Sequence, residues 1–183
     1  MSKHKFDVKK LDKLNNPERI KMLDLNKIVN ELQLPDKPTL VDIGTGTGVF
    51  AEELLNIIPN SKCYGLDICE EMINWVKENR ENNLNSRLET ILMTENVIPL
   101  PDEVADLVFM ITVHHELDDS KTLLNDVKRV LKKNGKVLIC DWKEGFNKHC
   151  IEKSSIINDL KSVGFTNIKE VNASEKLVSI IAY

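Results

Sequence analysis

The sequence predicts a doubly wound α/β sheet, and three observations carry that expectation. An apolar strand, Thr39 to Ile43, runs straight into a glycine-rich turn, Gly44-Thr45-Gly46-Thr47-Gly48, which opens a helical pattern. Apolar strand patterns and helical patterns then alternate towards the C-terminus, as βαβ units of a parallel sheet do. The stretch from Asp106 to Val113 has an uninterrupted apolar centre, the mark of a strand covered on both faces.

The elements follow in order. Asn16-Pro17-Glu18 reads as an N-cap with proline at the first helical position. Met22, Leu25, Ile28, Val29 and Leu32 recur behind it at helical spacing, which predicts one amphipathic helix. Pro35-Asp36-Lys37-Pro38 stops that helix and turns the chain into the first strand. Val49 to Ile58 is a helix closed by Pro59, Lys62 to Asp67 a strand, Glu70 to Asn82 a helix and Leu88 to Met93 the third strand. After the central strand, Leu123, Leu124, Val127, Val130 and Leu131 mark a helix expected to end at Asn134-Gly135. Lys136 to Trp142 is the fifth strand, Ser154 to Val163 a helix ended by Gly164, and Thr166 to Val171 with Leu177 to Tyr183 form a closing hairpin. No repeat or linker suggests a second domain, so residues 1–38 read as a basic N-terminal segment and helix ahead of one domain over 39–183.

Composition narrows the function classes. A chain of 183 residues, 42% apolar and 30% charged, has the makeup of an ordinary globular domain with a full core. No apolar run reaches the length of a membrane span, and Met1-Ser2-Lys3-His4-Lys5 lacks the apolar region of a signal peptide, so the expected location is cytoplasmic. A net charge of −4, from 25 basic and 29 acidic residues, argues against a broad nucleic-acid footprint. Only Lys3, Lys5, Lys9, Lys10 and Lys13 concentrate positive charge, and a solvated tail is the simpler reading of them. Cys63, Cys69, Cys140 and Cys150 form no C-x-x-C pair and read as reduced, buried thiols. Oligomeric state leaves no mark on the sequence.

The glycine turn is where a ligand is expected. Gly44, Gly46 and Gly48 remove the side chains that would keep a ligand off the backbone, and the helix behind them offers unpaired N–H groups. Asp67, ending the second strand, is placed to accept hydrogen bonds from ribose hydroxyls. The spacing is G-x-G-x-G rather than the G-x-G-x-x-G of dinucleotide sites, and Asp42 stands just before it. A carboxylate there repels a pyrophosphate but attracts an ammonium or sulfonium group. The expected cofactor is therefore S-adenosylmethionine rather than NAD.

With these features together, the chain resembles the class I S-adenosylmethionine-dependent methyltransferases, in particular the small-molecule branch of quinone-biosynthesis type. The likeness runs from about Thr39 to Tyr183 through V-D-I-G-T-G-T-G (Val41 to Gly48), G-L-D-I-C-E-E-M (Gly65 to Met72), I-P-L-P-D-E-V-A-D-L-V (Ile98 to Val108), L-K-K-N-G-K-V-L-I-C-D (Leu131 to Asp141) and G-F-T-N-I (Gly164 to Ile168). The resemblance implies a Rossmann-like sheet of seven strands, mostly parallel, with an antiparallel last strand. It further implies that Asp67 takes the ribose hydroxyls, that Ile68 packs on the adenine, that the turn with Asp42, Gly44, Thr45, Gly46 and Gly48 holds the methionine part, and that Met72 and Thr112 also belong to the cofactor site. Where relatives commonly carry an Asp for the adenine amino group this chain has Thr94 and Glu95, and either can accept that bond.

The fourth strand leads into His114-His115-Glu116, beside the expected sulfonium. Histidine titrates near neutrality, so His115 is a candidate general base, with Glu116 and Asp141 as its partners; a packed or loop-capping histidine is the bland alternative. A metal held by His114, His115, Glu116, Asp141, His149 and Cys150 is a competing reading. It is disfavoured because adjacent histidines on an extended segment point to opposite sides. Trp142 is a candidate pocket wall. The segment from Lys143 to Lys153 is short for a substrate cover, which leaves the first sixteen residues, Phe6 among them, as a candidate lid. The expected activity is methyl transfer to a small molecule. A non-catalytic S-adenosylmethionine-binding sensor or partner subunit is the alternative.

Overall fold

A computed structural model describes residues 11–183. Its strands are β1 (Thr39–Ile43), β2 (Lys62–Asp67), β3 (Leu88–Leu92), β4 (Ala105–Ile111), β5 (Leu131–Trp142), β6 (Ile168–Glu170) and β7 (Leu177–Ala182). The helices are α1 (Leu11–Leu14), α2 (Glu18–Lys21), α3 (Leu25–Leu32), α4 (Val49–Ile57), α5 (Glu70–Asn79), α6 (Ser120–Val130) and α7 (Lys153–Ser162). One seven-stranded sheet has the order β3-β2-β1-β4-β5-β7-β6, parallel except for β7, which runs antiparallel to both neighbours. The order reverses between β1 and β4, and that switch point puts a crevice at the carboxyl ends of the strands.

The central strand shows why both faces are covered. Leu107, Phe109 and Ile111 alternate into a layer shared with α3, α4 and α5, while Val108 and Met110 point into the layer under α6 and α7. All five are essentially buried. Each contributes about 1.5–3 kcal/mol by leaving water, which is why an unbroken apolar run is stable here.

Sequence expectation and structure differ at two element boundaries. The single N-terminal helix is two. Asn16 does cap a turn, its side chain accepting from Glu18 N–H at 3.0 Å, but the turn ends at Lys21. The Asp24 N–H donates to the Ala173 carbonyl at 2.8 Å, so it cannot continue a helix, and the Asp24 carboxylate caps α3 instead through Lys27 N–H at 3.0 Å. The buried side chains Leu25, Ile28 and Leu32 make α3 part of the sheet's own core. At the other boundary, α6 ends at Val130 and the chain is already extended at Leu131, so Asn134-Gly135 is no helix cap. A Cβ on Gly135 would lie 2.8 Å from the Ala105 carbonyl oxygen, which makes close approach between strands the reason for glycine there. Of the cysteines, all unpaired, Cys63 and Cys140 are buried as expected, whereas Cys69 is half-buried and Cys150 exposed. No helix of the described residues is long and apolar enough to cross a membrane.

Candidate functional site

A cleft of about 920 Å³ opens over the carboxyl ends of β1, β2, β3 and β4, in the size range of a ligand site. The glycine turn forms its floor. Gly44, Gly46 and Gly48 all have positive φ, from 54° to 72°. Gly44 is glycine for two reasons: its φ is left-handed, and a Cβ there would lie 2.6 Å from Val113 Cγ2. Gly44 and Thr45 both donate to the Leu66 carbonyl, at 2.8 and 2.9 Å, which ties the turn to β2. Asp67 completes the tie, its two carboxylate oxygens accepting from Gly46 N–H at 2.8 Å and Cys69 N–H at 2.9 Å. Each oxygen keeps acceptor capacity for a ligand hydroxyl.

Two acids under this turn are in costly positions. Asp42 is buried, and burial pushes its carboxyl up to about 8, with the Asp67 charge adding to the effect. Burial also raises Asp67, against the opposing bonds from the Cys69 and Gly46 amides. A cationic or hydroxyl-rich ligand relieves both.

The acid-rich end is bordered by apolar side chains. Ile68 and Leu92 are 40% and 47% exposed, among the few large apolar residues that face solvent, and both line the cleft with Met72 and Met93. Glu95 and Asn96 line it too, whereas Thr94 does not; Thr94 pairs with Val97 in an isolated bridge. The sequence left Thr94 and Glu95 open, and only Glu95 reaches the wall. Gly48 also stands outside the lining: it starts α4 with its Cα turned to Arg80 and Val76. Its place in the site is to shape the turn.

At the end of β4 the backbone is strained. Thr112 is a β-branched residue at φ 60°, held by its N–H to the Cys140 carbonyl at 2.8 Å. A short 3₁₀ turn, His114–Glu116, follows and sends the two histidines apart. His114 is buried on the far side, its Nε2 3.1 Å from Asp159 Oδ2, which also accepts from Ser120 Oγ at 2.7 Å. His115 faces the cleft. Asp141 sits fully buried behind it, with Oδ1 2.7 Å from His115 Nδ1 and Oδ2 accepting from the His115 backbone N–H at 2.9 Å. Trp142 N–H donates to the same Oδ1 at 2.7 Å. A carboxylate partner at Nδ1 fixes the proton there and leaves Nε2 as an acceptor; Glu116 Oε1 is 3.6 Å from that Nε2. Burial lowers the His115 pKa, but the Asp141 bond and the charges of Asp141 and Glu116 outweigh it, so the net shift is upward. The His149 ring stacks on His115 at 6.2 Å.

The structure thus brings His115, Glu116, Asp42, Gly44, Thr45, Gly46, Asp67, Ile68, Met72, Glu95 and Thr112 to one cleft, with Asp141 behind its wall. Among the described residues no group of three or more His, Cys, Asp or Glu side chains is arranged to hold a metal ion, and His114 and His115 diverge. Sequence reasoning missed Arg19 altogether. From the one-turn α2, Arg19 reaches across to donate to Thr112 Oγ1 at 3.0 Å and lies over the Phe50 ring at 5.6 Å. No periodicity or motif flags a residue of that kind. Lys13 and Leu14 of α1 also line the cleft, with Leu14 Cδ1 3.5 Å from where a Cβ on Gly46 would stand. Phe6 lies outside the described residues.

Comparison with known proteins agrees with this geometry. The family model described as a methyltransferase domain matches residues 41–139, more than half of the chain. The fold is similar to that of a SAM-dependent methyltransferase from Aquifex aeolicus, at 30% identity and a TM-score of 0.88 over 97% of this chain and 98% of that one. Malonyl-[acyl-carrier protein] O-methyltransferase 2 of Ilyobacter polytropus is 34% identical over 101 residues, 54% of this chain and 37% of its own length. The chain therefore spans well under two thirds of the curated relatives it matches first. The phosphoethanolamine N-methyltransferase 2 of Haemonchus contortus, solved with S-adenosyl-L-methionine, shares the fold at a TM-score of 0.70 and 20% identity, over 81% of this chain and 38% of that one. By sequence and fold, the chain belongs to the methyltransferase-domain family, the class I S-adenosylmethionine-dependent methyltransferases.

Proposed function

We propose that this protein transfers a methyl group from S-adenosylmethionine to a small-molecule acceptor, with His115 as the base that takes the acceptor's proton. The observation that carries the reading is the His115–Asp141 pair, set into the same cleft as the glycine turn and Asp67. The residues fit the cofactor: two acids raised by burial face the place where a sulfonium, an ammonium and a ribose diol would enter, and the exposed faces of Ile68 and Leu92 suit a flat base.

S-adenosylmethionine, when bound, supplies a methyl group already activated for in-line displacement. The protein's part is position, water exclusion and a proton acceptor. Asp67 would accept from the ribose hydroxyls, Ile68, Met72 and Leu92 would border the adenine, Glu95 would take its amino group, and Asp42 with Gly44 to Gly46 would hold the cationic end. His115 Nε2 would take the proton that the acceptor loses when the methyl group leaves the sulfur for it, the C–S bonding pair staying on the sulfur. Asp141 keeps the Nδ1 proton in place and stabilises the imidazolium, as a buried carboxylate does in any such dyad. Trp142 walls the acceptor side. Lys13 and Leu14 of α1, together with Arg19 of α2, cover the turn and exclude water from it.

A sensor that binds the cofactor without turnover has no use for an oriented base. His115→Asn separates the two readings. With a methyl acceptor found by screening, turnover should fall about 10²-fold or more while affinity for S-adenosylhomocysteine stays within twofold. Full turnover in the variant would leave His115 with packing alone.

A further inference from the structure

Resting on the methyltransferase reading, we propose that Arg19 is the residue that selects the acceptor, by binding a carboxylate on it. Four observations bear on this. The Arg19 side chain is half-buried, and its Nε is withdrawn from water with no hydrogen-bond partner among the described residues. Nη2 has a single neutral acceptor, Thr112 Oγ1. The nearby Glu116 charge opposes the downward pull of burial. A part-buried cation with an unmet donor is costly, and no motif of the cofactor site requires one here.

The third observation is place. Besides the main cleft, a second cavity of about 660 Å³ lies between α2 and the chain around Asn172 to Lys176. Arg19 and Trp142 line both cavities, with Lys13 beside them. Asp67, Ile68 and Glu95, which serve the nucleoside, line only the first. An anion held at Arg19 therefore lies on the acceptor side, at the partition between the two spaces.

The fourth is chemistry. A guanidinium is planar, always charged, and carries five donors in a fork that matches a carboxylate. Phe50 supports one face of it, which fixes the plane of that fork. Thr112 supplies the remaining tie, so the same strained residue that leads into His115 also sets the guanidinium. An acceptor with a carboxylate at Arg19 is then held with its other end towards His115 Nε2, and a neutral analogue leaves the buried donors unpaired. Sites of that kind discriminate strongly against the molecule that lacks the group.

Benzoate and its neutral isostere benzamide test this without knowledge of the acceptor. Calorimetry is run on the protein saturated with S-adenosylhomocysteine, for the native chain, Arg19→Gln and Arg19→Lys. The native protein should bind benzoate saturably and at least about tenfold tighter than benzamide, the preference expected of a charge-assisted pair. Arg19→Gln should erase that preference, and Arg19→Lys, which keeps the charge and loses the fork, should retain part of it. Benzamide binding in each variant reports whether the pocket survives. The proposal is overturned if benzoate shows no saturable binding to the native protein, or if Arg19→Gln keeps the preference. It is equally overturned if Arg19→Gln loses affinity for S-adenosylhomocysteine in step, since the guanidinium then serves the cofactor's own carboxylate. Binding of S-adenosylhomocysteine to the native chain tests the methyltransferase reading alone, so the two failures are distinct.

Discussion

Replacing Asp141 by Asn exchanges one oxygen for an NH₂ group and puts the His115 dyad under the sharpest strain. Asp141 is buried and accepts on both oxygens, from His115 Nδ1 and Trp142 N–H on one and from His115 N–H on the other. An amide has one acceptor oxygen. Placed towards Nδ1 and Trp142, it turns its NH₂ against the His115 backbone N–H; flipped, it turns the NH₂ against Trp142 N–H and forces the Nδ1 proton onto Nε2. Either way one buried donor loses its acceptor, at a cost of about 1–3 kcal/mol in stability. In the flipped form the base is in the wrong tautomer. Turnover should therefore fall about 10²- to 10⁴-fold, the range associated with a positioned general base.

The pH profile gives the second signature. The neutral imidazole is the active form, so the native rate should rise with pH through a His115 pKa above the ordinary value and then level off. Burial lowers that pKa, and Asp141, by its bond and its charge, is the chief reason the balance is upward. Asp141→Asn removes that support, so the inflection should move to lower pH while the plateau drops, and the deficit should narrow on the acid side. The assay is methyl transfer at saturating cofactor from pH 5 to 9, with S-adenosylhomocysteine affinity measured in parallel. An unshifted inflection with an unchanged plateau would show that the dyad takes no part in turnover.

Three other outcomes are expected. Asp67→Ala should weaken S-adenosylhomocysteine binding by about 1.5–3 kcal/mol, seen by calorimetry, since a charged acceptor is lost. Asp42→Asn should raise the melting temperature of the ligand-free protein. A carboxyl lifted from 3.8 to about 8 by folding contributes stability below its unfolded value and loses it as pH rises through 8, so the advantage of the variant should grow from pH 5 to pH 9. The same variant should bind the cationic cofactor more weakly, and a melting curve indifferent to pH would contradict the assignment. Deleting residues 1–15 should lower activity and cofactor affinity while the ligand-free melting temperature hardly moves, because none of the α1 side chains is buried in the core; a large loss of apo stability would make the segment structural.

The sequence was most legible where one physical force decides. The apolar centre of β4 and the glycine turn admit few alternatives: the first is stable only between two helical layers, and Gly44 meets Val113 if it gains a Cβ. Boundaries were less legible where a distant group competes for the backbone. The break before α3 depends on the Ala173 carbonyl, far along the chain, and Gly135 on the neighbouring Ala105 carbonyl. The divergence of His114 and His115 was expected from an extended segment, but it comes instead from the 3₁₀ turn that holds them and from Asp159 and Asp141 waiting on opposite sides. Arg19 was illegible because its partners, Thr112 and Phe50, are brought to it by tertiary packing alone.

The costs in this chain are not spread evenly. The two core layers are apolar and close-packed, whereas a neutral-leaning buried Asp42, a threonine at φ 60°, a part-buried arginine with an unmet donor and a fully buried Asp141 all gather at one end of one sheet. Each alone would be unfavourable enough to be lost under selection for stability. Their convergence on a single cleft is intelligible if a ligand supplies the missing partners: hydroxyls and a cation at the acids, an anion at Arg19, a proton at His115. Asp42 and Arg19 depart from local rules by leaving a polar group ready for something that is not protein, while Thr112 and Asp141 depart from them to hold Arg19 and His115 in place. The sheet's switch point explains why they can meet, because the chain leaves β1 for α4 on one face and β4 for α6 on the other, which opens a crevice between the two connections.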